Sequence, residues 1–352
     1  MQPAATTGLI RDEAILNEDI PPARERMVAR DEEFERLRLA LAPIERGEQI
    51  ESIRVFGPQG TGKSHTTRVM LDHLEQQRSG FDWTALSCHE RDTRTQILAT
   101  AVAAVTNQTF PGLQNRSHAE LRSELSHNVT RPLLVVCDEV DILDDDAMLA
   151  LRDILRTPDC ALALIANDEE DFFDGVPPSL ESRLKGSYHV QFDEYSVSDL
   201  VAILEQRTEF GLHDGVVSRR DLEAIAREAQ GNGSARQAIV TLRKAVKVAA
   251  SRGRTSISVE DIEIAAPDAR QYIRNKDYER LGESLQRLVD VIEADSEEWV
   301  SCTRVREQYD ERMGCEVGGR KRRRLLNKLQ NYGFIERRGD GKGAEYRYLE
   351  LY

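Results

Sequence analysis

The stretch "GPQGTGKS", residues 57–64, decides how this chain reads. It fits the spacing G-x-x-x-x-G-K-[ST], with Gly57, Gly62, Lys63 and Ser64 at the fixed positions. Glycines let the backbone turn sharply, so that successive N–H groups converge on one concavity and cradle phosphate oxygens. Lys63 would reach the β- and γ-phosphates of a nucleotide, and the Ser64 hydroxyl would ligate Mg²⁺. Gln59, Gly60 and Thr61 complete the loop and His65 follows it, all within reach of the same ligand. The flanks agree. "SIRVF" reads as a buried strand, and "SHTTRVMLDHLEQQ" as a helix whose N-terminus opens under the loop.

Outward from there, residues 24–193 alternate helical stretches with the short apolar runs "IRVF", "WTALSC", "PLLVVCDEV", "ALALIAN" and "YHVQF". This predicts an α/β fold, a parallel sheet covered by helices on both faces. "PLLVVCDEVDIL" ends a central strand in Asp138 and Glu139, at the sheet edge where the phosphate loop sits. Asp138 is expected to hold Mg²⁺ through water, and Glu139 to polarise an attacking water as general base. Asn167 ends the next strand, where its amide would bond a γ-phosphate and orient that water; alone, an Asn there is a turn residue. Arg183 in "ESRLKG" and Arg236 in "GNGSARQA" would each bring positive charge to the departing phosphate. In a chain with forty arginines a solvated surface role is the alternative for both.

From residue 196 to about 266 the strands stop, and four amphipathic helices follow, several opening on a Ser cap. A third unit begins near Tyr278: three helices, then "FIERR", the turn "GDGKG" and "AEYRYLELY" as a β-hairpin, together a winged helix. In "GGRKRRRLLNKLQNYG", Leu325, Leu326, Leu329 and Tyr332 share an apolar face, leaving Arg320, Lys321, Arg323, Arg324 and Lys328 to face outward. A basic helix with a packed reverse face suits the major groove, and Arg337, Arg338 and Lys342 near the wing turn suit the adjacent backbone or minor groove. The alternative is a solvated helix in a protein–protein module. Charge supports DNA: residues 300–352 hold thirteen Lys or Arg against eight Asp or Glu, a net of +5, while the whole chain is −14 and its remainder −19. Only eight of 48 basic residues are lysine, which with the acidic total suggests a saline cytoplasm. The five cysteines lack C-x-x-C spacing and read as thiols in a reducing compartment, and no apolar run of about 18 residues exists to span a membrane.

The order of these motifs resembles the AAA+ ATPases, and with the C-terminal winged helix it resembles the archaeal and eukaryotic origin-recognition and Cdc-type initiator family. The resemblance runs from "ARERMVARDEEFERLRLAL" to the end of the chain. It implies that Val28, Ala29 and Arg30 lie against the adenine of ATP or ADP. It implies that Asn167 acts as sensor 1, Arg236 as the lid arginine called sensor 2, and Arg183 as an arginine finger acting on a neighbouring subunit. The stretch 91–120 lies where that clade inserts a helical element able to touch DNA. Family members often carry Asp-Pro-Arg before the finger, where this chain has Pro177, Pro178 and Ser179, and Ser64 stands for the usual Thr. The expected division is a flexible lead-in 1–22, an ATP-binding core 23–195, a lid 196–268 and a winged helix 269–352. The implied function is ATP-switched replication initiation: binding origin DNA and helping to load the replicative helicase, with paralogous initiator subunits. A nucleotide-gated DNA-binding regulator and a clamp-loader-like ATPase are the alternatives.

Overall fold

β1 (Ile53–Phe56) is the pivot of the molecule. In the computed structural model, which describes residues 8–20, 22, 27–45, 48–77, 80–230, 234–295 and 297–349, it follows α1 (Asp31–Glu45) and leads through the glycine loop into α2 (Lys63–Gln77). The core continues with β2 (Asp82–Ser87), α3 (Arg94–Val105), α4 (Phe110–Leu113), α5 (His118–Asn128), β3 (Leu133–Asp138) and α6 (Asp145–Leu155). It closes with β4 (Cys160–Ala166), α7 (Glu169–Gly175), α8 (Pro178–Leu184) and β5 (Tyr188–Gln191). The five strands are parallel, in the order β2-β3-β4-β1-β5. All residues of β1 and β4 are buried, as expected of strands covered on both faces. One face packs on Ile97, Leu121 and Leu151 from α3, α5 and α6, the other on Leu37, Met70 and Leu71 from α1 and α2. Because every strand runs the same way, the exits of β1, β3 and β4 share one edge, and there the phosphate loop, Asp138 and Asn167 meet.

The lid comprises α9 (Val197–Gly211), α10 (Arg219–Ala229), α11 (Ala235–Ser251) and α12 (Val259–Arg280), capped by Ser196, Ser218, Ser234 and Ser258. Three of these caps are reciprocal boxes in which an Asp three residues on bonds back to the cap N–H. Two segments differ from expectation. α12 does not end near 268 but runs through Pro267 to Arg280, carrying the lid's last helix into the C-terminal unit. Residues 8–20, expected as a flexible lead-in, pack on the lid; the remaining lead-in residues 1–7 and 21 lie outside the described residues. Leu16 is fully buried, Leu9 and Ile10 nearly so, and Arg207 donates to the carbonyls of Ile15 (2.6 Å) and Ile20 (3.0 Å). Glu18, 4 % exposed, is matched by Arg243 and Lys276 from the lid.

The last unit holds α13 (Glu283–Glu293), β6 (Val300–Ser301), α14 (Cys302–Met313), α15 (Gly319–Asn331), β7 (Ile335–Arg338) and β8 (Glu345–Tyr348). Its three strands are antiparallel in the order β6-β8-β7, so the expected hairpin gains a third strand that pairs Val300 with Tyr346. The three helices and this sheet enclose Leu288, Tyr309, Leu326, Leu329 and Phe334, the element order of a winged helix.

Candidate nucleotide-binding site

A cavity of about 880 Å³ opens at the shared edge, lined by the phosphate loop, the lid and Tyr332 of the C-terminal unit. Gly60 and Gly62 hold φ of +78° and +89°, a region that a side chain rarely adopts. The space is also taken: a Cβ on Gly60 would lie 2.2 Å from Ser234 Oγ, so the loop and the first turn of α11 touch there. Arg30 ties the loop from the other side, donating to the carbonyls of Thr61 (3.0 Å) and Asp193 (2.7 Å) while stacked 3.7 Å from the Tyr195 ring. Val28 and Arg30 both line the cavity, with Gln59, Gly60, Gly62, Ser64 and His65. Burial, reinforced by Arg207, pushes the His65 imidazole down to about 4 and keeps it neutral.

Lys63 is buried, its Nζ donating to the carbonyls of Gly57 (2.5 Å) and Pro58 (2.7 Å) and to Asn167 Oδ1 (3.2 Å). Burial lowers its pKa to about 8 against the opposing pull of Asp138, Asp141 and Glu139. Asp138 is raised by burial, although Ser64 hydrogen-bonds it. Glu139 sits in left-handed backbone at φ +56°. His89 Nε2 lies 3.1 Å from its Oε2, and the Tyr332 hydroxyl donates to its Oε1 at 3.0 Å. Burial alone would raise this carboxyl, but His89, Lys328 and Tyr332 together pull it down to about 2. Arg236 pairs with Asp277 on α12, which also accepts from Gln59, and its Nε and Nη2 are buried without a hydrogen-bond partner among the described residues. The site thus gathers Lys63, Ser64, Asp138, Glu139, Asn167 and Arg236. It does not gather Arg183, which lies exposed on α8, bonded to the Leu155 carbonyl.

The basic helix departs from its expected orientation. Lys328 is 4 % exposed and sits 3.6 Å from Asp141, and Arg324 donates to the Leu143 carbonyl (2.6 Å) and approaches Asp145 (3.3 Å). Both face the ATP-binding core, because the acids after β3 offer a partner surface that helical periodicity does not reveal. Lys321 is half exposed, 3.9 Å from Asp144, and Arg323 is exposed. Arg338 is exposed over the Trp299 ring, while the side chains of Arg320 and Lys342 lie outside the described residues. His89, Tyr332 and Asp277 escaped the sequence reading. Tyr332 was legible only as a member of an apolar face, and nothing local marks the other two.

Parallel strands in this order, a phosphate loop at their edge and a helical lid define a nucleotide-binding ATPase module. Comparison with known proteins agrees. The AAA ATPase domain family matches residues 26–165, and the Cdc6 AAA+ ATPase-type lid domain matches 201–267. An ORC1-type DNA replication protein of Halobacterium salinarum (number 9) is 29% identical over 342 residues, covering 97% of this chain and 94% of the relative. Among solved structures, the Aeropyrum pernix ORC1 protein in complex with DNA superposes with TM-score 0.74 at 23% identity, over 97% of this chain and 93% of that one. The Aeropyrum pernix ORC2 protein, solved as ADPNP-ADP complexes, gives 0.67 at 21% identity, over 97% and 94%. The chain belongs to the archaeal Cdc6/ORC1-type initiators of the AAA+ class. Among the described residues no helix is long and apolar enough to cross a membrane.

Proposed function

We propose that this protein is an ATP-switched initiator that binds duplex origin DNA and helps to recruit or load the replicative helicase, beside paralogous subunits in a saline cytoplasm. The observation that carries the reading is the convergence of Lys63, Asp138, Glu139, Asn167 and Arg236 on one cavity that the C-terminal basic helix also borders. The relatives support it: one is an ORC1-type DNA replication protein, and one solved neighbour holds DNA.

The donor set suits Mg²⁺. Ser64 and Asp138 offer hard oxygens, and the buried Asp138 carboxyl, raised by desolvation, would be held ionised by a cation. Bound there with ATP, Mg²⁺ would neutralise charge on the β- and γ-phosphate oxygens. Lys63 exchanges its loop carbonyls for phosphate oxygens, and Arg236 exchanges Asp277 for the γ-phosphate, drawing the lid shut. Asn167 orients the water. As the water oxygen bonds the γ-phosphorus and the bond to the β–γ bridging oxygen breaks, Glu139 takes the water's proton, leaving ADP and phosphate. Arg183, outside its own chain's cavity, is free to reach a neighbour's nucleotide.

Crosslinking and immunoprecipitation of the tagged protein across the genome, set against a marker-frequency profile, tests the biological reading. Binding peaks at the frequency maxima support an initiator; peaks at promoters away from any maximum replace it with a nucleotide-gated regulator. In vitro, Lys63→Ala is expected to abolish retention of a fluorescent ATP analogue.

A further inference from the structure

The face that α15 turns to the core carries one side chain per turn, and each meets the acidic segment after β3. Lys321 approaches Asp144, Arg324 holds Leu143 O and Asp145, Lys328 pairs with Asp141, and Tyr332 bonds Glu139. As the helix advances, its partners step back toward the catalytic edge, so helix and segment lie in antiparallel register. Residues spaced three and four apart share one helix face and move as a unit. Lys328, 4 % exposed, cannot meet a DNA phosphate and Asp141 at once.

One oxygen of the Glu139 carboxylate accepts from the Tyr332 hydroxyl, and His89 Nε2, itself 3.1 Å from that hydroxyl, lies 3.1 Å from the other. That hydroxyl remains a donor, because burial and the facing carboxylates raise it well above the ordinary tyrosine range. A carboxylate that already accepts from a buried hydroxyl, with an imidazole beside its other oxygen, is a weaker acceptor for water's proton.

We propose that Tyr332 is a positioning residue through which the basic helix governs Glu139: docked on the acidic segment, it idles the base, and duplex DNA competing for Lys328 and Arg324 releases it. The acids Asp141, Asp144 and Asp145 occupy the cationic side chains as DNA phosphates would, so DNA binding and release of the base are a single displacement. This rests on the reading of Glu139 as base.

The test uses the full chain. Tyr332→Phe keeps the ring and its packing and removes only the hydroxyl. It is expected to raise steady-state ATP turnover several-fold without DNA, in kcat and not in KM, and to blunt any stimulation by duplex. The double variant Asp141→Asn, Asp145→Asn is expected to bind a fluorescent duplex several-fold more tightly by anisotropy, a readout that needs no turnover. A Tyr332→Phe protein with the native kcat and native DNA stimulation overturns the positioning role. An acid-neutralised variant with unchanged duplex affinity overturns the competition. Turnover that survives Glu139→Gln overturns the reading of Glu139 as base, and the duplex measurement still judges the docking independently.

Discussion

Gly60→Ala is the substitution whose cost the structure sets most directly. At φ +78° an alanine is held in left-handed backbone, which costs about 1–2 kcal/mol. Its methyl would also lie 2.2 Å from Ser234 Oγ and 2.9 Å from Ser234 Cβ, so the start of α11 must move. Ser234 caps that helix by accepting from the Gln237 N–H, and losing a serine cap costs about 1 kcal/mol. Together the two terms reach about 2–3 kcal/mol. Charged wholly to the loop–lid contact on which nucleotide binding would build, this weakens ATP binding by roughly 30- to 150-fold, at tenfold per about 1.4 kcal/mol. Titration with a fluorescent ATP analogue reads it, and Ser234→Gly provides the control. Glycine at an N-cap costs only a few tenths of a kcal/mol, so in the double variant the steric share should disappear and the backbone share remain. Binding by Gly60→Ala within about twofold of native, or a double variant no better than the single one, would refute the claim that loop and lid meet at this point.

Three further outcomes are expected. Lys63 has a folded pKa lowered to about 8 and must be protonated to hold phosphate, so ATP affinity should fall as pH rises through 8 while it stays level below; a flat profile from pH 7 to 9.5 contradicts this. Asp277→Asn removes the carboxylate that competes with the γ-phosphate for Arg236 and should tighten ATP binding several-fold by calorimetry, with weakening as the contrary result. Leu16→Ala deletes a fully buried side chain against Gly211 and should cost about 2–4 kcal/mol, seen as faster amide exchange in residues 8–20 and the lid while the C-terminal unit keeps its protection.

Much of the architecture was open to reading because its signals are local. The glycine spacing around Lys63, the buried runs of β1, β3 and β4, and the Ser caps with Asp three residues on depend only on neighbouring residues. The continuity of α12 across the expected boundary at 268 was not legible, because a proline inside a helix removes a hydrogen bond and usually interrupts it, whereas α12 runs through Pro267 to Arg280. Residues 8–20 carry no helical or strand periodicity. They are ordered by Arg207, which lies nearly two hundred positions away and satisfies their carbonyls.

The sequence by itself therefore determined the class of the chain, the phosphate loop, the carboxylates at the sheet edge and the basic character of α15, since each follows from residue type at fixed spacing. Only the tertiary structure decided where that basic face points. Periodicity tells which residues share a side of a helix, and Lys321, Arg324, Lys328 and Tyr332 do. Which surface that side meets depends on how the C-terminal unit is carried by α12, where Arg274 reaches the carbonyls of Gly333 and Phe334. It depends as well on acids some 180 positions earlier in the chain being presented, turn by turn, at the matching rise. That pairing of charges across the fold leaves no mark on either segment alone, and it brings a basic helix against Glu139 at the edge of the cavity.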